Sequence, residues 1–364
     1  MKRARSSSTC LRTGLAAAML TASVAVLGAG STSATAPPDS SDEQPFAGER
    51  LSMSYAWFPA LHSISLFVAD KAGFWDEEGL DVELTRVDSG ANGYTLLLGD
   101  QVNMANAGLD VDVQAYEQGR EIRHIYPLVN RVSMNLIVSN DVIEEFGVSP
   151  DDPLEDRLAV LPDLTFGYTS PNAPTDIYAR DLLALAGVEG DVSDQLVALE
   201  SGANMVAALE AGSIDAFMLT PPTPNAAEAA GIGTVLIAGS RGDVPSWNDY
   251  PYSGVSAAAN WLATPEGTEA SARFVTGLLR ANELIRTDPD QALEYVAEYF
   301  PDLDDEVLQS SLDDMIPSLP ESPYITQEQV EQVLAQLGDP DAPSDEGVLW
   351  TNEIVAIASD RLAD

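Results

Sequence analysis

Residues 207–220 read AALEAGSIDAFMLT, and residues 95–108 read TLLLGDQVNMANAG. Each runs from small and leucine-rich positions through a Gly or Asp into an apolar stretch punctuated by Asn or Asp. The leucine spacing predicts a helix with one buried face. Gly212 or Asp100 then turns the chain, because helices commonly end on a left-handed residue and glycine enters that conformation at little cost. Ile214 or Val102 opens a buried strand. Written twice, the phrase predicts two similar lobes.

The surrounding chain supports that division. LSMSYAWF (51–58) alternates as a first strand, and HSISLFVADKAGFW follows at helical spacing with Gly73 at its end. DVELTRV (81–87) is a second strand, and Ser89 is placed to cap a helix beginning near Ala91. VNMANA, a helix through Gly119, and the strands EIRHIYPL and SMNLIV complete a first round. After the polar link SPDDPLED (149–156) the pattern repeats: LTFGYTS, a helix ending at Gly187, QLVALE, SGANMVAALEAG, SIDAFMLT, PPTPNAAEAAG and TVLIAG. Alternating strands and helices define an α/β chain with mixed, mainly parallel sheets. From residue 253, a returning strand leads into long helical patterns expected to pack around the first lobe. The expected division is 47–138 plus 250–364 for lobe one and 139–249 for lobe two, with two crossovers between them.

The 364 residues include 58 acidic and 17 basic side chains, for a formal charge of −41. Such a surface repels nucleic acid and anionic membranes and calls for screening by salt, which fits a saline environment. The first 36 residues read as a signal peptide and cleavage region: Lys2, Arg3, Arg5 and Arg12 precede the uncharged run TGLAAAMLTASVAVLGAG. Cleavage sites are available after Gly30, Ala34 or Ala36, and residues 37–46 form an acidic leader. The sole cysteine, Cys10, precedes the apolar run, so the exported chain has no disulfide, thiolate nucleophile or cysteine-ligated metal. Export to the periplasm or the outer cell surface is expected.

LFVADKAGFWDEEGLDVEL closely resembles a signature of solute-binding proteins of bacterial ABC importers, in the branch that includes sulfonate, nitrate and thiamine-pyrimidine binders. ALEAGSIDA resembles a second phrase of the same family. The resemblance spans roughly residues 50–360 and implies a two-lobed, type 2 periplasmic-binding-protein-like fold. It also implies a solute held between the lobes, a membrane permease as partner, a monomer, and neither cofactor nor metal. In open α/β sheets ligands sit beyond the carboxyl ends of the strands, so the turns after the strands are the candidate site.

Those turns nominate Trp57, Phe58 and His62 after the first strand, with aromatic faces that either stack on solute or join the core. Ser89 and Gly90 follow the second strand; Gly108 and Asp110 follow the third, where Asp110 either pairs with an amino group or stabilises a helix N-terminus. In the second lobe, Thr169, Ser170, Asn172 and Thr175 surround a helix N-terminus, which suits polar or anionic groups. Thr220 and Tyr252 lie near the strand end and the return crossover. Arg131 precedes the other crossover and holds either an anionic solute or a structural carboxylate. WFPALH resembles the WxPxxxH phrase of thiamine-pyrimidine binders, one residue shorter, which tilts the expected ligand toward a small heteroaromatic such as a thiamine-precursor pyrimidine. Sulfonates and nitrate-like anions are the alternative. An enzyme resembling the related pyrimidine synthase is a lesser reading, because no cysteine follows residue 10 and no nucleophile–His–Asp set is evident. His124, inside a strand, reads as structural. RGD (241–243) and the acidic DPDAPSDEG (339–347) read as solvated loops.

Overall fold

The computed structural model describes residues 46, 48–171, 173–339 and 342–363. The expected signal segment, leader residues 37–45 and Asn172 lie outside the described residues.

Ten strands form two five-stranded sheets of the same design. In the first, β1 (Leu51–Trp57), β2 (Leu80–Arg86), β3 (Met104–Ala107), β4 (Ile122–Arg131) and β10 (Asn248–Ala258) take the order β2-β1-β3-β10-β4. In the second, β5 (Asn135–Ser139), β6 (Phe166–Tyr168), β7 (Leu196–Ala198), β8 (Ala216–Leu219) and β9 (Gly233–Ala238) take the order β7-β6-β8-β5-β9. Only one strand in each sheet runs against the rest, β10 in the first and β5 in the second. Both sheets are thus mixed and mainly parallel.

The repeated phrase does in each lobe what its residue types require. Gly212 and Asp100 both adopt positive φ, at 65° and 54°. Ile214 and Val102 are buried, although their strands begin two residues further on, at Ala216 and Met104. The intervening Asn103 and Asp215 explain the polar punctuation. Asn103 Oδ1 accepts from the Ser54 backbone N–H at 2.8 Å, and Asp215 Oδ2 accepts from the Thr165 backbone N–H at the same distance. Each side chain therefore anchors the start of β3 or β8 to β1 or to the approach of β6, satisfying a backbone donor that would otherwise be stranded.

Two short segments connect the sheets. They run beside each other, Val132 N–H donating to Trp247 C=O at 3.1 Å and Gly239 N–H to Met134 C=O at 3.0 Å. SMNLIV was expected at the end of lobe one, yet β5 pairs with β8 and β9 of the second sheet. The chain changes sheet between Arg131 and Asn135.

The helix Pro265–Thr287 buries Phe274, Val275 and Leu278 in the first lobe's core, beside Tyr55 and Trp75. Trp75 stacks on Phe274 at 4.9 Å, and Tyr55 stacks on the same ring at 5.1 Å. The helix Gln327–Leu337 departs from the expectation that the C-terminal helices serve lobe one. Val330, Val333 and Leu334 enter the cluster that holds Tyr178 and Trp247, and Gln329 donates to Asp249 at 2.7 Å. Its apolar stripe fits the surface where β10 leaves the crossover, a partner that helical periodicity cannot name.

Candidate functional site

The junction of the two sheets is built from the turns that follow β1, β3, β6 and β8. After β1, the Phe58 ring meets the His62 ring edge-on at 5.0 Å. A side chain at Gly90 would place its Cβ 3.1 Å from Phe58, so glycine leaves room for the ring. His62 is 6% exposed; the Asn106 side chain lies close enough to favour its charged form, but among the described residues no well-formed hydrogen bond reaches either ring nitrogen. Burial pulls the imidazole down to about 4, which keeps it neutral at pH 7. Beside it, Asn106 Nδ2 donates to Ser63 Oγ at 3.3 Å, and Asn106 Oδ1 accepts from Ser253 Oγ at 3.2 Å. A neutral imidazole with both nitrogens uncommitted can donate one hydrogen bond and accept another.

Trp57 goes elsewhere. Its indole packs against Phe67 and Tyr299, at 5.2 and 5.3 Å, within the first lobe's core. Consecutive residues at a strand end face opposite ways, so placing Phe58 at the junction commits Trp57 to the helix layer.

Gly108 closes β3, and a Cβ there would fall 2.2 Å from Asp110 Oδ1 and 3.0 Å from the Tyr252 carbonyl oxygen. Asp110 begins the helix Leu109–Glu117, which starts beneath β10. Desolvation raises its carboxyl to about 6, with the Asp112 charge adding to the effect against two backbone hydrogen bonds. Tyr178, Tyr250 and Tyr252 all feel the Asp110 charge, and burial raises each phenol. Tyr178 meets Tyr252 edge-on at 5.7 Å and Trp247 at 5.3 Å. Sequence reasoning missed Tyr178 and Tyr250. Tyr178 lies one helical turn after Thr175, a spacing that places both on one face.

From the second lobe, the Thr169 and Thr175 hydroxyls meet at 2.7 Å, and Thr175 Oγ1 accepts from the Thr169 backbone N–H at 2.9 Å. These threonines therefore tie the end of β6 to the first turn of the helix Pro174–Leu185, whose N-cap position, Ala173, has no side-chain cap. Ser170 is exposed, its carbonyl accepting from Ala173 N–H at 3.1 Å. Thr220 hydrogen-bonds the Tyr252 side chain, and Leu61 N–H reaches Pro221 C=O at 3.4 Å. Both contacts join the turn after β8 to groups held by the first sheet.

Ser89 caps the helix Gly90–Leu98 through Asn92 N–H, at 3.3 Å. A further signal lay unread: Ser201-Gly202-Ala203-Asn204 repeats Ser89-Gly90-Ala91-Asn92, and Ser201 caps its helix through Asn204 N–H at 3.2 Å. Arg131 sits apart at the crossover, its guanidinium 3.5 Å from the Ser240 carbonyl oxygen. The RGD residues are partly exposed, as a solvated loop requires, yet their charges are engaged: Arg241 pairs with Asp314 at 2.8 Å and Asp243 with Arg157 at 2.5 Å.

A second polar cluster lies within the first lobe. Asp112 accepts from Ser256 Oγ at 2.7 Å and from Tyr94 at 2.8 Å, and lies 3.0 Å from His124 Nδ1. These residue types suggest a hydrolytic triad, but Ser256 donates to the carboxylate and not to the imidazole Nε2. His124 and Ser256 are fully buried and Asp112 is 1% exposed, which gives the cluster a structural role in the sheet.

Two mixed sheets of matching order, joined by paired crossovers, make the two-lobed periplasmic-binding-protein-like fold. The architecture is shared with the Escherichia coli periplasmic aliphatic sulphonate-binding protein SsuA, at TM-score 0.60 and 19% identity over 80% of this chain and 91% of that one. The periplasmic nitrate-binding protein NrtA from Synechocystis PCC 6803 superposes at 0.57 and 15% identity over 85% and 86%. In sequence, the chain is 27% identical over 261 residues to the nitrate import ATP-binding protein NrtC of Synechocystis, covering 68% of this chain but only 37% of that protein. It is 22% identical over 260 residues to the putative binding protein YtlA of Bacillus subtilis, covering 69% and 72%. Residues 47–299 match the NMT1-like family, and the chain belongs to that family.

Proposed function

We propose that this protein is the extracytoplasmic solute-binding component of an ABC importer. It takes a small organic solute between the lobe built on the first sheet and the lobe built on the second, with the chain passing between them at 132–134 and 239–247, and presents the closed form to a permease. Its role is capture, not catalysis. The leading solute class is a heteroaromatic resembling a thiamine-precursor pyrimidine. The observation that carries this reading is the pairing of the Phe58 ring with a neutral, buried His62 that, among the described residues, has Asn106 nearby but no well-formed hydrogen bond to either nitrogen. A flat ligand with donors and acceptors on its edge would satisfy both. Buried polar groups without partners cost roughly 1–3 kcal/mol each, and a solute that fills them recovers that energy only when the lobes close.

Sulfonates or nitrate-like anions are the second reading, supported by the helix start beside Thr169 and Thr175, which has no side-chain cap, and by what the structural neighbours bind. Export, a monomeric state and a saline setting complete the proposal; the leading segment and the acidic charge support it, and no helix among the described residues is long and apolar enough to cross a membrane. The test is thermal stabilisation of residues 37–364 in high salt. The panel comprises thiamine-precursor pyrimidines, alkyl and aryl sulfonates, and nitrate. A ligand at about 100 times its Kd adds roughly 2.7 kcal/mol. A shift with pyrimidines that disappears in Phe58→Ala and His62→Ala supports the first reading; a shift with anions alone refutes it.

A further inference from the structure

Asp110 is a partly buried carboxylate at the sheet junction, and no Lys or Arg among the described residues forms an ion pair with it. Its position comes from geometry on several elements. Gly108 brings its carboxylate beside the Tyr252 backbone. Leu109, immediately before it, packs in the cluster that contains Tyr178 and Tyr250. The Tyr178 and Tyr252 rings stand edge to face at 5.7 Å, and Thr220 holds the Tyr252 hydroxyl. One carboxylate is therefore set among three tyrosines contributed by the second lobe's helix and the return crossover. His62, 6% exposed and without a well-formed hydrogen bond to either nitrogen among the described residues, lies beside the Asn106 side chain, two residues before Gly108 on the same side of β3.

An unpaired carboxylate in such surroundings is costly to keep charged. The tyrosine rings present faces of negative potential and hydroxyls that both donate and accept. Together they favour positive charge or N–H donors and disfavour an anion. We propose that Asp110, with Tyr178, Tyr250 and Tyr252, forms a subsite for a cationic or amino-bearing nitrogen of the solute. An amidine-like edge, an exocyclic amino group beside a protonated ring nitrogen, would give Asp110 two parallel hydrogen bonds. A quaternary or alkyl ammonium would instead use the ring faces. The subsite deepens the solute-binding reading above and rests on it.

The experiment is isothermal titration of the full exported chain and of Asp110→Asn and Tyr178→Phe, at pH 7.5 in high salt. The probes are an aminopyrimidine, its deaminated hydroxypyrimidine counterpart, choline, ethanesulfonate and nitrate. The expected result is that the aminopyrimidine binds and that Asp110→Asn weakens it roughly 10- to 100-fold, the worth of a hydrogen bond to a charged group, or that choline binds and is weakened through loss of the opposite charge. Tyr178→Phe should weaken it less, while both variants keep cooperative unfolding. Equal binding of the amino and deaminated pyrimidines, with Asp110→Asn unchanged, overturns the subsite and leaves the heteroaromatic reading standing. Binding of ethanesulfonate or nitrate that Asp110→Asn leaves intact or strengthens overturns both. Silence from every nitrogen-bearing probe at millimolar concentration also counts against the subsite, because a site of this chemistry must register them.

Discussion

The Asp110→Asn variant should be more stable than the parent protein without ligand, and the gain should depend on pH in a defined direction. The Asp110 carboxyl is raised from 3.8 to about 6 in the folded chain. The folded state therefore binds the proton more tightly than the unfolded state, and stability falls as pH rises through that interval. Fully below the unfolded value the carboxyl is protonated in both states and costs nothing extra. Above about pH 7 it is ionised in both, and the folded state bears the full penalty. A shift of roughly two units corresponds to about 3 kcal/mol. Asparagine copies the neutral acid in shape, though it loses the favourable charge at a helix start, worth about 0.3–1 kcal/mol. The expected gain is thus about 1–3 kcal/mol at pH 8, shrinking toward zero at pH 4. At about 2 °C per kcal/mol for a chain of this size, the melting temperature should rise by roughly 2–6 °C. Differential scanning calorimetry of parent and variant across pH 4–8 measures it. The charged and titrating neighbours, Asp112, His124, Tyr178, Tyr250 and Tyr252, are present in both proteins and largely cancel in the comparison. A difference of zero at pH 8, or one that does not change with pH, would refute the reasoning.

Gly277→Ala should destabilise the protein by about 1–3 kcal/mol although alanine is the better helix former, because its Cβ would fall 2.4 Å from the buried Trp75 ring; chemical denaturation checks it. Asp314→Ala should cost about 3–5 kcal/mol, since the 6%-exposed carboxylate accepts from Asn135, Asn225 and Arg241 and its loss strands two buried amides; an effect below about 1 kcal/mol in urea unfolding contradicts that accounting. Asn103→Ala and Asp215→Ala should each lose about 1–3 kcal/mol, as each unseats a backbone N–H at a first strand; calorimetry should place the two losses close together. Raising salt from about 0.1 M to about 1 M, which shortens the screening length from about 10 Å to about 3 Å, should raise the melting temperature of a chain with 58 carboxylates and 17 basic residues. A flat or falling curve would contradict self-repulsion as a major term.

Local chemistry made much of the architecture legible. Gly212 and Asp100 mark turns because of their own backbone preferences, Ser89 caps because of its own hydroxyl, and alternating strands and helices follow from short-range periodicity. Hence the two-lobed α/β class could be read from two phrases. Allegiances of short strands were less legible: β5, the SMNLIV segment, shares a sequence pattern with first-lobe strands, and only pairing with β8 and β9 assigns it. The candidate site divided along the same line. Neighbouring aromatics at the end of β1 look interchangeable in sequence, but the pleat sends Trp57 to Phe67 and Tyr299 and leaves Phe58 with His62.

What the sequence by itself determined was the pair of similar α/β lobes and the turns at the ends of their helices and strands, because helix ends, caps and strand periods depend on residues only a few positions apart; where the chain first crosses between sheets it did not determine. What only the tertiary structure decided was which side chains meet there. Asp110, Tyr178 and Tyr252 come from three separate segments, and their shared surroundings exist only once two sheets are packed and crossed. The burial that leaves His62 neutral and lifts the Asp110 carboxyl is a property of that packing, not of either residue.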